Sequence, residues 1–132
     1  MEQAASDIVF QSYGRCCNSE QFFVDFYGRF MGTSDEIRAL FAETDMKQQR
    51  HLLRNGIMQL VLHARGMPDT KLRALGESHS RRGYGIRPQW YSLWLQALLD
   101  TIREHDPEFD SRVESSWREA IGPGIEVIRN AY

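Results

Sequence analysis

Four polar side chains stand where a helical pattern calls for apolar ones: Tyr27, Gln49, His79 and Tyr91. A neutral imidazole offers a lone pair to a metal, and a phenol or carboxamide donates hydrogen bonds. His79 shares a helix face with Leu72 and Leu75, since spacings of three and four residues return to the same side. It is followed by a glycine-rich corner, Gly83-Tyr84-Gly85, and then by Arg87-Pro88. A lone histidine in that setting is either a satisfied core residue or a ligand. Other chemistries lack their motifs. The sequence has no phosphate-cradling glycine loop, no dinucleotide fingerprint and no H-E-x-x-H pair.

These residues need helices to position them, and the pattern supplies seven. Ser6 or Asp7 is the expected cap of the first, with Ile8, Val9, Tyr13 and Cys16 inward. Asn18-Ser19 opens the second, whose inner face runs Phe22, Phe23, Phe26, Tyr27, Phe30 and Met31. Gly32-Thr33-Ser34 breaks it. Ser34-Asp35-Glu36 then gives an acidic start to a short third helix holding Ile37, Leu40 and Phe41. Thr44 or Asp45 caps a longer fourth, where Met46, Gln49, Leu53, Ile57, Leu60 and Val61 recur near the helical period. Only Gln49 is polar on that stripe.

The segment Gly66-Met67-Pro68-Asp69 separates the fourth helix from the one that carries His79. A sixth helix is expected from about Pro88 to His105, with Tyr91, Trp94, Leu95, Leu98, Leu99 and Ile102 inside. The seventh starts near Phe109-Asp110-Ser111 and turns Val113, Trp117, Ile121, Ile125 and Ile128 inward. Pro123 is expected to remove one backbone bond from it and bend it locally. Nothing reads as a strand, a repeat or a linker. The expectation is an all-α protein forming a single domain over residues 1–132.

Composition narrows the function classes. A net charge of -2 gives no global pull toward nucleic acid or an anionic membrane. No window holds the roughly 18 apolar residues that a membrane span needs, and no signal peptide is visible at the start, so the cytoplasm is the expected location. The two cysteines, Cys16 and Cys17, are adjacent, which suits reduced thiols better than a disulfide. The absence of C-x-x-C argues against structural zinc and against covalent haem attachment.

The order and spacing of several pairs resemble one family. They are Phe26-Tyr27, Leu40-Phe41, Gln49 with Leu53, and Leu75-Gly76 leading to His79. Gly85-Ile86, Pro88, Tyr91 and Trp117 complete the set. Together these resemble the bacterial single-domain globins, the group of Vitreoscilla haemoglobin and of the globin domain in flavohaemoglobins, over nearly the whole chain. The resemblance implies the globin fold, a three-over-three helical sandwich around a non-covalent b-type haem.

It also implies roles. His79 would ligate the iron, with its other ring nitrogen donating to a backbone carbonyl. Phe41 would clamp the haem plane, Leu53 cover the gas site and Ile86 touch the porphyrin edge. Tyr27 and Gln49 would form the distal pocket, and Tyr91 would stand behind His79. Trp94 replaces a smaller aliphatic residue and would narrow the pocket. The corner after His79 looks two residues longer than in relatives, and its Arg81 and Arg82 would either reach the haem propionates or stand as solvated surface. His51, roughly 200° round the helix from Gln49, should face away. His63 and His105 lie near helix ends, where solvent exposure or dipole pairing explains them.

The function implied is reversible binding of oxygen, carbon monoxide or nitric oxide at five-coordinate haem iron, for transport, storage or sensing. An alternative is a nitric oxide dioxygenase. The length leaves no room for a flavin domain, so that enzyme would need a separate reductase. A further alternative is a globin-fold sensor or interaction module. Relatives with oxygen-activating chemistry place a glutamate behind the tyrosine like Tyr91, and Tyr132 stands at the matching position here. The aromatic stretch from Trp90 to Ile102 suits a core or a homodimer contact equally.

Overall fold

The computed structural model describes residues 3–132. Among them are seven helices: α1 (Ala5–Cys16), α2 (Glu20–Met31), α3 (Asp35–Leu40), α4 (Met46–Ala64), α5 (Thr70–His79), α6 (Trp90–His105) and α7 (Ser111–Asn130). No strand occurs among the described residues. Helices α1, α4 and α5 form one layer and α2, α6 and α7 the other, with α3 attached to α2. None of these helices is long and apolar enough to cross a membrane.

The caps follow local chemistry. Ser34 accepts from the Glu36 N–H, Asp45 from Lys47 and Gln48, and Asp110 from Val113. The first helix departs from expectation. Ala4 occupies its N-cap, and Ser6 and Asp7 lie inside. Asp7 instead uses its first-turn position to pair with Arg65 at 2.6 Å. Ser19 stands at the N-cap of α2, yet its side chain makes no capping bond. The sixth helix starts two residues later than expected, at Trp90, because Arg87 and Pro88 carbonyls accept three residues on and form a turn. α7 continues through Pro123 without a break.

The inner faces of α2 and α7 are buried largely as their periodicity predicts, with Phe22, Phe23 and Trp117 fully enclosed. Both α4 and α5 seat on α7 and pack little on each other. Gly124 makes the joint seat possible. A Cβ there would lie 2.7 Å from Leu60 Cδ2 of α4 and 3.2 Å from Leu72 Cδ1 of α5.

One buried polar network ties the layers together. Trp117 Nε1 donates to Ser12 Oγ at 3.0 Å, and that hydroxyl donates to Asp106 Oδ2 at 2.6 Å. Arg15 grips the same carboxylate at 2.7 and 3.0 Å, and the Glu108 N–H adds a fifth bond to the cluster at 2.9 Å. Asp106 caps the C-terminus of α6, where a carboxylate opposes the helix dipole. Its place is therefore explained by the network. Burial alone would raise its carboxyl, but Arg15, Ser12 and the Glu108 N–H hold it below the usual range.

Asp106→Ala should cost about 2–4 kcal/mol in urea unfolding at neutral pH, since it strands Arg15 and Ser12. Because the folded carboxyl is the stronger acid, its contribution is complete above the ordinary unfolded value of about 4 and is lost as pH falls through the lower folded value. The variant should therefore lose less stability than the parent on acidification below about pH 4. Parallel acid losses in the two proteins would refute the assignment.

Candidate functional site

A set of apolar side chains from α3 to α6 stays half-buried: Phe41, Met46, Met58, Leu75, Tyr91, Leu93 and Trp94. Apolar surface concentrated beside buried polar groups is the usual setting of a binding site. Of the four polar residues singled out from the sequence, Gln49, His79 and Tyr91 lie on these elements and Tyr27 on α2.

Tyr27 projects from the inner face of α2 and is only 4% exposed. Gln49, on the first turn of α4, donates from Nε2 to the Tyr27 hydroxyl at 3.1 Å. That bond uses the phenol as acceptor and leaves its own proton to donate elsewhere. Burial pushes Tyr27 up to about 12, against smaller lowering effects from Gln49 and the Arg50 charge. The group is therefore a fixed O–H donor at neutral pH. Phe41 meets the Tyr27 ring edge-on at 5.4 Å, and Leu53 lies one turn beyond Gln49 and is buried.

His79 is the last residue of α5. Its Nδ1 lies 3.5 Å from the Tyr91 hydroxyl, at the outer limit of a hydrogen bond. The partner expected for this nitrogen was a backbone carbonyl, so Tyr91 is a correction. The His79 carbonyl is committed elsewhere, to the Ile86 N–H at 2.9 Å. Nε2 has no partner among the described residues. Burial depresses the imidazole pKa, which keeps the ring neutral and a lone pair available. Burial also lifts Tyr91 to about 12, and no charged group adds to either shift.

The corner behind His79 is a compact hydrogen-bonded loop. Gly83 and Gly85 donate to the Ser80 carbonyl, and Tyr84 donates to the Ser78 carbonyl, all at 2.9 Å. Gly83 comes so close to Ser78 that a Cβ would lie 2.0 Å from its carbonyl oxygen. Gly85 adopts φ +67°, a left-handed conformation that favours glycine. The last turn of α5 and the corner are thus one piece of backbone.

The structure thus brings together Tyr27, Gln49 and Phe41, and separately His79, Tyr91 and Ile86. Helix α6 joins the groups: Tyr91 reaches His79, and Trp94 packs edge-on against Phe26 at 5.7 Å, beside Tyr27. Arg81 lies over the Tyr132 ring at 4.7 Å and Arg82 is exposed, as the solvated of their two expected settings requires. One expectation needs correction. His63 and His105 are half-buried, and His105 pairs with Asp25 at 2.7 Å. His51 is exposed, as its helical angle requires.

Two features were not anticipated. Tyr84 places its ring 6.3 Å from that of His79, and Arg87 pairs with Glu36 of α3 at 2.6 Å. The glycines flanking Tyr84 were a visible signal of a shaped loop. The ion pair joins distant segments and left none.

The two helical layers carry an imidazole nitrogen without a hydrogen-bond partner among the described residues and a buried, hydrogen-bonded tyrosine. The chain belongs to the globin family, whose model matches residues 24–127. It is also similar to a solved protein from Pseudomonas aeruginosa PAO1, described as structurally highly homologous to a human hemoglobin. The two share 57% identity with a TM-score of 0.94, covering 97% of this chain and 98% of that one. Comparison with curated proteins gives no match. Fold and family together support a globin-type, gas-binding protein.

Gly83→Ala should move the corner against Ser78 and cost about 1–3 kcal/mol. Urea unfolding measures the cost, and the His79 ring resonances should shift with it. A variant with unchanged stability and unchanged His79 resonances would show that the corner does not position this side chain.

Proposed function

We propose that residues 1–132 form one domain that holds a b-type haem and reversibly binds oxygen or another diatomic gas at five-coordinate ferrous iron. The observation that carries this reading is the buried Tyr27 hydroxyl, held by Gln49 with its own proton free. When bound, haem supplies an iron atom with one open position for a gas molecule.

The residues present fit such a group. His79 offers the neutral nitrogen Nε2 as the iron ligand, with Tyr91 steadying Nδ1. Phe41, Leu53, Ile86, Tyr91 and Trp94 supply apolar contacts for a flat macrocycle, and Gln49 faces it from α4. A haem covering roughly several hundred Å² of apolar surface would contribute on the order of 10 kcal/mol before ordering costs. Removing it should lower the thermal midpoint markedly, and an unchanged midpoint would count against the cofactor.

Tyr27 then discriminates among gases. A ligand that gathers negative charge on its outer atom, as oxygen does, gains from a donated hydrogen bond. Carbon monoxide gathers less and gains less. The binding reading is favoured over nitric oxide dioxygenation because neither His79 nor Tyr91 has a carboxylate partner among the described residues to increase electron donation. The proposed setting is the cytoplasm.

Tyr27→Phe should speed oxygen dissociation about tenfold, the loss expected for one hydrogen bond of about 1.4 kcal/mol. Carbon monoxide dissociation should change far less. Flash photolysis of the two complexes measures both, and equal acceleration would remove Tyr27 from the donor role. Steady-state consumption of nitric oxide with added reductant, beyond one stoichiometric turnover, would favour the dioxygenase.

A further inference from the structure

The corner between His79 and Pro88 presents a combination that gas binding does not use. Tyr84 is 72% exposed, the most exposed of the large hydrophobic side chains among the described residues, and its ring stands 6.3 Å from that of His79. Arg81, Arg82 and Arg87 surround it in sequence and are all exposed. Among the described residues, Arg87 alone of the three has an acidic partner, Glu36. The patch is locally positive on a chain whose net charge is -2.

Tyrosine and arginine are the residues most often found at the energetic centre of protein interfaces, where one large ring and several planar cations carry the contact. The loop is also ordered in advance. Its amides are bonded to the Ser78, His79 and Ser80 carbonyls, so a partner meets a formed surface with little left to order. The same bonds join that surface to the turn that carries His79.

We infer that the Arg81–Arg87 corner is the docking surface for an acidic electron-donor protein, with Tyr84 as its central contact. This rests on the haem-binding reading. Any ferrous oxygen binder slowly loses an electron to its ligand and becomes ferric. Restoring it takes one electron, given by the donor and accepted by the ferric iron, with no bond made or broken. Complementary charge steers the encounter, and Tyr84 brings the donor's surface against the edge of the site.

The test uses the haem-loaded full chain in the ferric state, with a reduced acidic two-iron ferredoxin as the donor and carbon monoxide to trap the ferrous product. Stopped-flow absorbance should give a second-order rate that falls about tenfold or more between about 10 mM and about 200 mM salt. The double variant Arg81→Gln/Arg82→Gln should be slower by about tenfold at low salt and nearly insensitive to salt. Tyr84→Ala should be slower with its salt dependence intact. Reduction by photoreduced lumiflavin, an uncharged flavin, should be the same in all of them.

An independent reading comes from binding. In the carbon monoxide complex, the amide resonances of residues 81–87 should shift on titration with oxidised ferredoxin. Equal ferredoxin rates in the double variant and the parent would overturn the docking surface, as would an equal loss with lumiflavin. Retention on anionic phospholipid vesicles, lost in the variant while ferredoxin reduction is unchanged, would overturn it in favour of a membrane surface. These failures are separable from failure of the underlying reading, which would show as purified protein without a haem absorption band.

Discussion

Leu60 of α4 and Leu72 of α5 converge on the same short stretch of α7, at a residue with no side chain of its own. Much of the molecule depends on that contact. It sets α4 and α5 side by side on a common floor without packing them tightly against each other. Two helices in van der Waals register along their length would leave nothing between them but side chains. Seated on a third, they leave room for the proposed haem to lie between Gln49 and His79. The spacing is therefore a property of α7, with its run of small residues around Pro123, as much as of the helices that bear the chemistry.

The two sides differ in how firmly their polar atoms are held. On the Tyr27 side, a phenol excluded from water is bonded by Gln49 and wedged by Phe41, so its proton has one direction left to donate. On the His79 side, the bond to Tyr91 is long and no charge stands behind it. A neutral imidazole with a weak partner donates modestly to a metal. Strong orientation of a hydrogen-bond donor combined with weak electronic push suits holding a gas and letting it go.

Periodicity made the helices legible because each buries one clear face, as Phe22, Phe26 and Phe30 do along α2. The polar exceptions to that pattern, Tyr27, Gln49, His79 and Tyr91, proved to be the hydrogen-bonded pairs of the site. Exceptions stand out in a sequence when everything around them follows the rule. What stayed hidden depends on distance along the chain. The Arg87–Glu36 pair and the Ser12–Asp106–Trp117 network join residues that no local pattern relates. The first helix shows another limit. Ser6 and Asp7 are both good caps, but the helix begins earlier, at Ala5, and Asp7 pairs with Arg65 from inside the first turn.

The corner after His79 has a structural logic of its own. A loop that leaves a helix carrying a metal ligand must satisfy the helix's last carbonyls without pulling the ligand out of place. Here the loop turns back and donates four of its own amides to the carbonyls of residues 78–80. That solution requires a glycine at 83, where any side chain would strike Ser78, and it leaves Arg81, Arg82 and Tyr84 exposed. A loop that served only to cap α5 could carry small polar residues there. Instead it carries three arginines and a tyrosine: Arg87 pairs with Glu36, Arg81 lies over Tyr132, and Arg82 and Tyr84 stay exposed. The backbone of the corner is explained by holding His79 in place; the exposed Arg82 and Tyr84 are the part that the proposed docking surface would use.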